Sequence, residues 1–137
     1  MIYDSRKRDG TFSIANTTKG GIPTLPFFDI KEAVLGKKYS LSLVFIGDKL
    51  SRKLNKQYRK KDVRTNILSF PIVKNEGEIF INTKKAREEA RQNNTQYKIH
   101  LAHLFIHGLI HLKGYTHSST MEREEAKVFK KFFKDNL

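Results

Sequence analysis

The sequence predicts an α+β fold in a single domain spanning residues 1–137: one mixed β-sheet packed with helices, with a histidine-bearing helix at its centre. Three observations predict it. The chain has 137 residues, within the roughly 100–200 that one core serves. Short runs rich in Val, Ile, Leu and Phe take turns along the chain with stretches of helical spacing and charge. Thr95–Lys113 is apolar nearly all round, the pattern of a helix covered on every side.

Taken in order, Thr11–Ala15 reads as a strand and the Gly- and Thr-rich Asn16–Pro26 as a loop. Phe27–Leu35 has helical spacing, with Phe28, Ala33 and Leu35 set among charges, and stops near Gly36. Tyr39–Ile46 alternates and is rich in Leu, Val and Phe, as a buried strand is. Asp48 caps a helix over Lys49–Arg59 that carries Leu50, Leu54 and Tyr58 on one face. Asn66–Val73 is a strand whose Pro71 assigns it to an edge or a bulge, because proline cannot donate to a central ladder. Gly77–Ile81 is another strand, and Asn82 or Thr83 caps a charged helix, Lys84–Gln92. The last helix starts directly after His117, with Ser119 to Glu122 as a capping box. Val128, Phe129, Phe132 and Phe133 give it a buried face, and Lys127, Lys130, Lys131 and Lys134 stand outside.

Composition narrows the function classes. The net charge is +13, from 27 Lys and Arg against 14 Asp and Glu, and such a surplus attracts phosphate backbones through counterion release. A solubility device is the alternative. No stretch approaches the roughly 20 apolar residues that cross a bilayer, and the N-terminal MIYDSRKRDGTF lacks the apolar segment of a secretory signal. The absence of cysteine excludes disulfides and thiolate metal sites and fits a reducing compartment, so the cytoplasm is the expected location.

The chemistry concentrates in HGLIHLKGYTH, residues 107–117. His103, His107 and His111 follow one another at i+4 and form a stripe down one side of the central helix. His107 and His111, one turn apart, can both reach an ion at about 2.0–2.1 Å. Gly114 can take a positive φ, end the helix and fold the chain back, returning His117 toward the same ion. Three neutral imidazoles leave a tetrahedral position for water, the arrangement of a catalytic site rather than a structural one. The helix is thus read as a metal-binding helix, with zinc the leading ion and nickel or manganese as alternatives. His103 either orients a ligand or packs, and His100 is a bystander. The spacing matches the zincin pattern HExxHxxGxxH except at Gly108, where a peptidase keeps its general-base glutamate. A glycine there is read as clearing space beside the metal.

At this point three blocks resemble one family. AHLFIHGLIHLKGYTH (102–117) resembles the signature of the YbeY family of metal-dependent, single-strand-specific endoribonucleases of rRNA maturation. LNKQYRKKDVRTNILSFP (54–71) resembles that family's LN-x-x-YR-x-x-D-x-x-TDVLSFP. GEIFI (77–81) is similar to its GDI strand, and the acidic MEREEA (121–126) to its stretch after the last histidine. The resemblance implies a zincin-like mixed-sheet fold, a zinc ion held by His107, His111 and His117, and a catalytic role for Arg59. It further implies RNA as partner, in rRNA and the ribosomal particle, and no membrane. A guanidinium suits that role, since it can hold phosphate oxygens bidentately and stabilise transition-state charge; an exposed arginine ending a Lys-rich helix is the alternative. Asn66, Glu78 and Thr116 depart from the family's aspartates, and two of those losses are expected to strip carboxylate acceptors from around the metal. A metalloprotease-like hydrolase and a non-enzymatic, metal-stabilised RNA- or ribosome-binding module remain as other readings.

Overall fold

Four strands whose apolar residues recur at every second position build the sheet on which the site stands. A computed structural model describes residues 10–116 and 118–134. The strands are β1 (Phe12–Asn16), β2 (Ser40–Ile46), β3 (Ile67–Val73) and β4 (Glu76–Asn82), ordered β1-β2-β4-β3. β1, β2 and β4 run parallel, and β3 is antiparallel to β4, so the sheet is mixed as expected. Pro71 sits in β3, an edge strand with an irregularity between Pro71 and Val73, where a missing N–H leaves no gap in a central ladder.

Register places one apolar face together. Leu41, Leu43 and Phe45 lie beside Gly77, Ile79 and Ile81, and on the far side Ile67 and Ser69 lie beside Ile81 and Ile79. The central helix, α4 (Tyr97–Leu112), packs on this face through β3 and β4. Leu101, Ala102, Phe105, Ile106, Leu109 and Ile110 are all buried in it. Helices α1 (Phe27–Leu35), α3 (Thr83–Gln92) and α5 (Ser119–Phe132) cover α4 from its other sides. Phe27 meets Phe105 edge-on at 5.1 Å. Phe129 and Phe133 of the α5 end are buried, while Val128 and Phe132 are half-buried. No helix among the described residues is long and apolar enough to cross a membrane.

The opposite face carries Leu68, Phe70 and Phe80, and α2 (Asp48–Arg59) packs there, with Tyr58 on Phe70 at 5.0 Å. The expected apolar stripe of α2 is only partly its inward face: Leu54 is half-buried and Tyr58 rests one side on Phe70, but Leu50 is exposed, and the residues fully buried are Ser51 and Asn55. Hydrogen bonds decide this. Ser51 Oγ donates to the Thr65 carbonyl and accepts from the Thr65 N–H, and Asn55 Nδ2 donates to the Val63 carbonyl. The loop leading to β3 is thereby fixed along α2.

Three helix starts differ from expectation. Asp48 does not cap α2; Gly47 precedes the helix without a side-chain bond, and the Asp48 carboxylate accepts from Arg64 and Asn82 instead. Helix α4 begins two residues later than expected, because Asn94 is left-handed (φ 56°) and Gln96 extended. The cap of α5 is Ser118, whose Oγ accepts from the Met121 N–H at 3.2 Å, one residue before the expected box. Asn82 does cap α3, accepting from the Lys85 N–H.

Candidate metal centre

A histidine stripe becomes a site only if the helix presents it to open space, and here His103, His107 and His111 all line one cleft of about 460 Å³. Its other walls come from Arg59 at the end of α2, Thr65 and Asn66, Ile67 and Ser69 of β3, and Glu125 of α5. The helix ends as Gly114 turns to φ 112°, with its N–H bonded to the His111 carbonyl at 3.0 Å. That reversal brings the Tyr115 carbonyl to within 3.2 Å of His111 Nδ1. His107 Nδ1 lies 2.5 Å from Glu125 Oε1. His117, the third expected ligand, lies outside the described residues.

These contacts fix the tautomers. A carbonyl oxygen and a carboxylate only accept, so Nδ1 carries the proton on both rings, and Nε2 is the nitrogen each would offer to an ion. Outer acceptors that hold an imidazole by its N–H orient it and raise its basicity toward a metal. The donor set therefore fits zinc at His107 and His111. Both imidazoles stand on one helical face, and Glu125 meets His107 from outside the pair.

Glu125 is the residue that sequence reasoning did not assign. It sat in view within MEREEA, but nothing local distinguishes it from the other carboxylates of α5; only the docking of α5 on α4 selects it. It also answers the expected loss of acceptors. Asn66 donates to both Glu89 oxygens at 3.1 and 3.2 Å, and Glu89 meets His100 Nε2 at 3.0 Å. His100 is thus a hydrogen-bond partner of Glu89, set apart from the lining of the cleft. Glu78 follows the strand alternation to the sheet face away from α4, and Thr116 is exposed.

His103 stacks on Phe129, ring centroids 3.9 Å apart and 8° from parallel. Desolvation first, and the neighbouring His100 second, hold its imidazole below the ordinary value, while Glu125 pulls it up. It packs with one face and borders the cleft with the rest of its ring. Gly108 corrects a further expectation. A Cβ at this position would meet Ile67 Cδ1 at 2.8 Å, Ser69 Oγ at 3.0 Å and Ile79 Cδ1 at 3.1 Å. The glycine lets α4 lie close on the sheet and does not open room beside a metal.

Arg59 is exposed at the last turn of α2, before Lys60 turns left-handed at φ 59° and ends the helix. It lines the same cleft as the three histidines and Glu125. The cleft thus combines imidazole nitrogens with a planar cation.

Comparison with known proteins adds the following. Residues 12–134 match the family model described as "Endoribonuclease YbeY". A protein of that name from Neorickettsia sennetsu is 38% identical over 107 aligned positions, covering 70% of this chain and 75% of its own. Another from Endomicrobium trichonymphae is 31% identical over 137 aligned positions, covering 93% and 97%. The solution structure of a Thermotoga maritima protein superposes with a TM-score of 0.69 at 24% identity over 91% of each chain, which speaks for the fold.

Proposed function

The chain belongs to the YbeY family, and from that premise we propose that it is a metal-dependent endoribonuclease that hydrolyses single-stranded RNA in the cleft lined by α4, the edge strand β3, Glu125 and Arg59. The observation that carries the reading is the pair His107 and His111, each held by its Nδ1 proton, with Arg59 in the same cleft. His107, His111 and His117 would hold the ion, with zinc the best fit to an all-imidazole set. A bound zinc ion would supply Lewis acidity at the phosphodiester.

The chain's own residues do the rest. Glu125 keeps the His107 ring turned toward the cleft and its proton on Nδ1, and the Tyr115 carbonyl does the same for His111. Arg59 donates in parallel to non-bridging phosphate oxygens and stabilises the charge that grows as the phosphorus becomes five-coordinate. The surplus of +13 raises the local concentration of a polyanion before any contact forms. The substrate on this reading is ribosomal RNA, met in the cytoplasm within ribosomal particles. Family membership, the basic charge and the absence of cysteine support that finer assignment. The peptidase alternative loses ground because position 108 is occupied by sheet packing.

Incubating zinc-loaded protein with a single-stranded RNA is expected to give internal cleavage that His111→Ala abolishes. Cleavage that survives His111→Ala rejects the mechanism. Salt-sensitive RNA binding without turnover, unchanged by chelation, would instead identify a binding module. Elemental analysis of untagged protein identifies the ion.

A further inference from the structure

Tyr58 immediately precedes Arg59 and is 59% exposed, although its ring is the largest apolar surface at that end of α2. One side of the ring is braced: it rests on Phe70 at 5.0 Å, and Phe70 rests on Phe80 at 6.0 Å. The ring is therefore held against a fixed floor with its remaining surface in solvent. Its position relative to the cleft follows from strand alternation. Ser69 points into the cleft, and its neighbour Phe70 points to the opposite face of β3, the edge strand. Tyr58 thus stands just around the sheet edge from the cleft, with Arg59 between the two.

The charge around the ring selects the occupant. Lys56, Lys60 and Lys61 are exposed on the same helix end, and Lys60 and Lys61 form no ion pair among the described residues. An apolar peptide laid on Tyr58 would strip water from these cations without pairing them. A single-stranded nucleotide presents a flat base for the ring and a phosphate on either side for the cations. We propose that Tyr58 is a nucleobase-stacking subsite for single-stranded RNA, seating the base next to the phosphodiester that Arg59 engages. The subsite rests on the endoribonuclease reading and deepens it. A duplex keeps its bases stacked and paired within the helix, so it offers this ring nothing, and preference for single strands follows from one side chain.

The test separates stacking from charge. With metal chelated, a 2′-O-methyl single-stranded oligonucleotide, which cannot be cleaved through its 2′ oxygen, is titrated into wild type, Tyr58→Phe and Tyr58→Ala. Tyr58→Ala is expected to raise Kd about 5- to 30-fold, and Tyr58→Phe to leave it within about twofold, because the flat ring and not the hydroxyl makes the contact. The slope of log Kd against log salt is expected to stay the same in all three, since no phosphate contact is lost. The chain contains no Trp, so Tyr58→Trp supplies a single reporter. Its emission is expected to be quenched by oligouridylate and not by an abasic oligomer of equal length. Wild-type affinity in Tyr58→Ala, or equal quenching by the abasic oligomer, overturns the subsite while leaving the endoribonuclease reading intact. Wild-type protein that binds no RNA overturns both.

Discussion

Restoring the peptidase glutamate at position 108 is expected to damage the fold rather than create a protease. A Cβ there meets Ile67 Cδ1 at 2.8 Å, Ser69 Oγ at 3.0 Å and Ile79 Cδ1 at 3.1 Å, and making room in a packed core costs about 1–3 kcal/mol. A carboxylate drawn into this packed contact with few partners would add about 2–3 kcal/mol for a poorly paired polar group. Replacing glycine inside a helix returns under about 1 kcal/mol. The net for Gly108→Glu is a loss of about 2–6 kcal/mol out of the roughly 5–15 that typically hold such a domain. For a chain of this length that lowers Tm by about 7–20 °C. Thermal melts followed by far-UV circular dichroism in chelator measure it, with Gly108→Ala as the control that adds the Cβ without the charge. A Gly108→Glu protein melting within about 3 °C of wild type, and cleaving peptides, would refute the packing argument.

Three further outcomes follow from the same geometry. Glu125→Gln keeps an acceptor for His107 but removes its charge, and zinc affinity measured against a chromophoric chelator is expected to fall about 10-fold, reaching up to about 100-fold in Glu125→Ala. Arg59→Ala is expected to slow single-turnover RNA cleavage about 100- to 1,000-fold with an unchanged Tm. Arg59→Lys should recover only part of it, because an ammonium lacks the planar fork. Burial alone would raise the Asp48 carboxyl, but hydrogen bonds from Asn82, Arg64 and Lys84 outweigh it and hold the group below the usual carboxylate range. The unfolded chain therefore takes up this proton first, so the stabilisation is whole above the ordinary carboxylate value and is lost as pH falls through the lowered one. Urea denaturation across the acid range should show Asp48→Asn with a flatter decline than wild type.

How much of this was legible follows from the range of the forces involved. The four strands and five helices were readable because apolar period is a local property, and Pro71 marked an edge because a missing donor is local too. The histidine stripe was equally readable, since i+4 spacing on a helix needs no tertiary knowledge. The inward face of α2 was not. Leu50, Leu54 and Tyr58 look like its core stripe, yet Ser51 and Asn55 are buried because they satisfy the backbone of residues 63 and 65. Gly108 misled for a related reason: its spacing identifies the motif, but only the approach of β3 and β4 shows which way it faces. Glu125 stayed unassigned because α5 carries three glutamates, Glu122, Glu124 and Glu125, and helix docking alone picks one.

The anchoring of His107 by Glu125 binds the chemistry to the order of synthesis. His107 and His111 belong to α4, while the carboxylate that steadies one of them arrives on α5, the last helix in sequence. A chain made from its N-terminus would complete the sheet and α4 before this carboxylate could dock. The orientation of the His107 ring therefore waits for α5 to dock, so the two histidines of α4 are not both held until a helix made after them has folded.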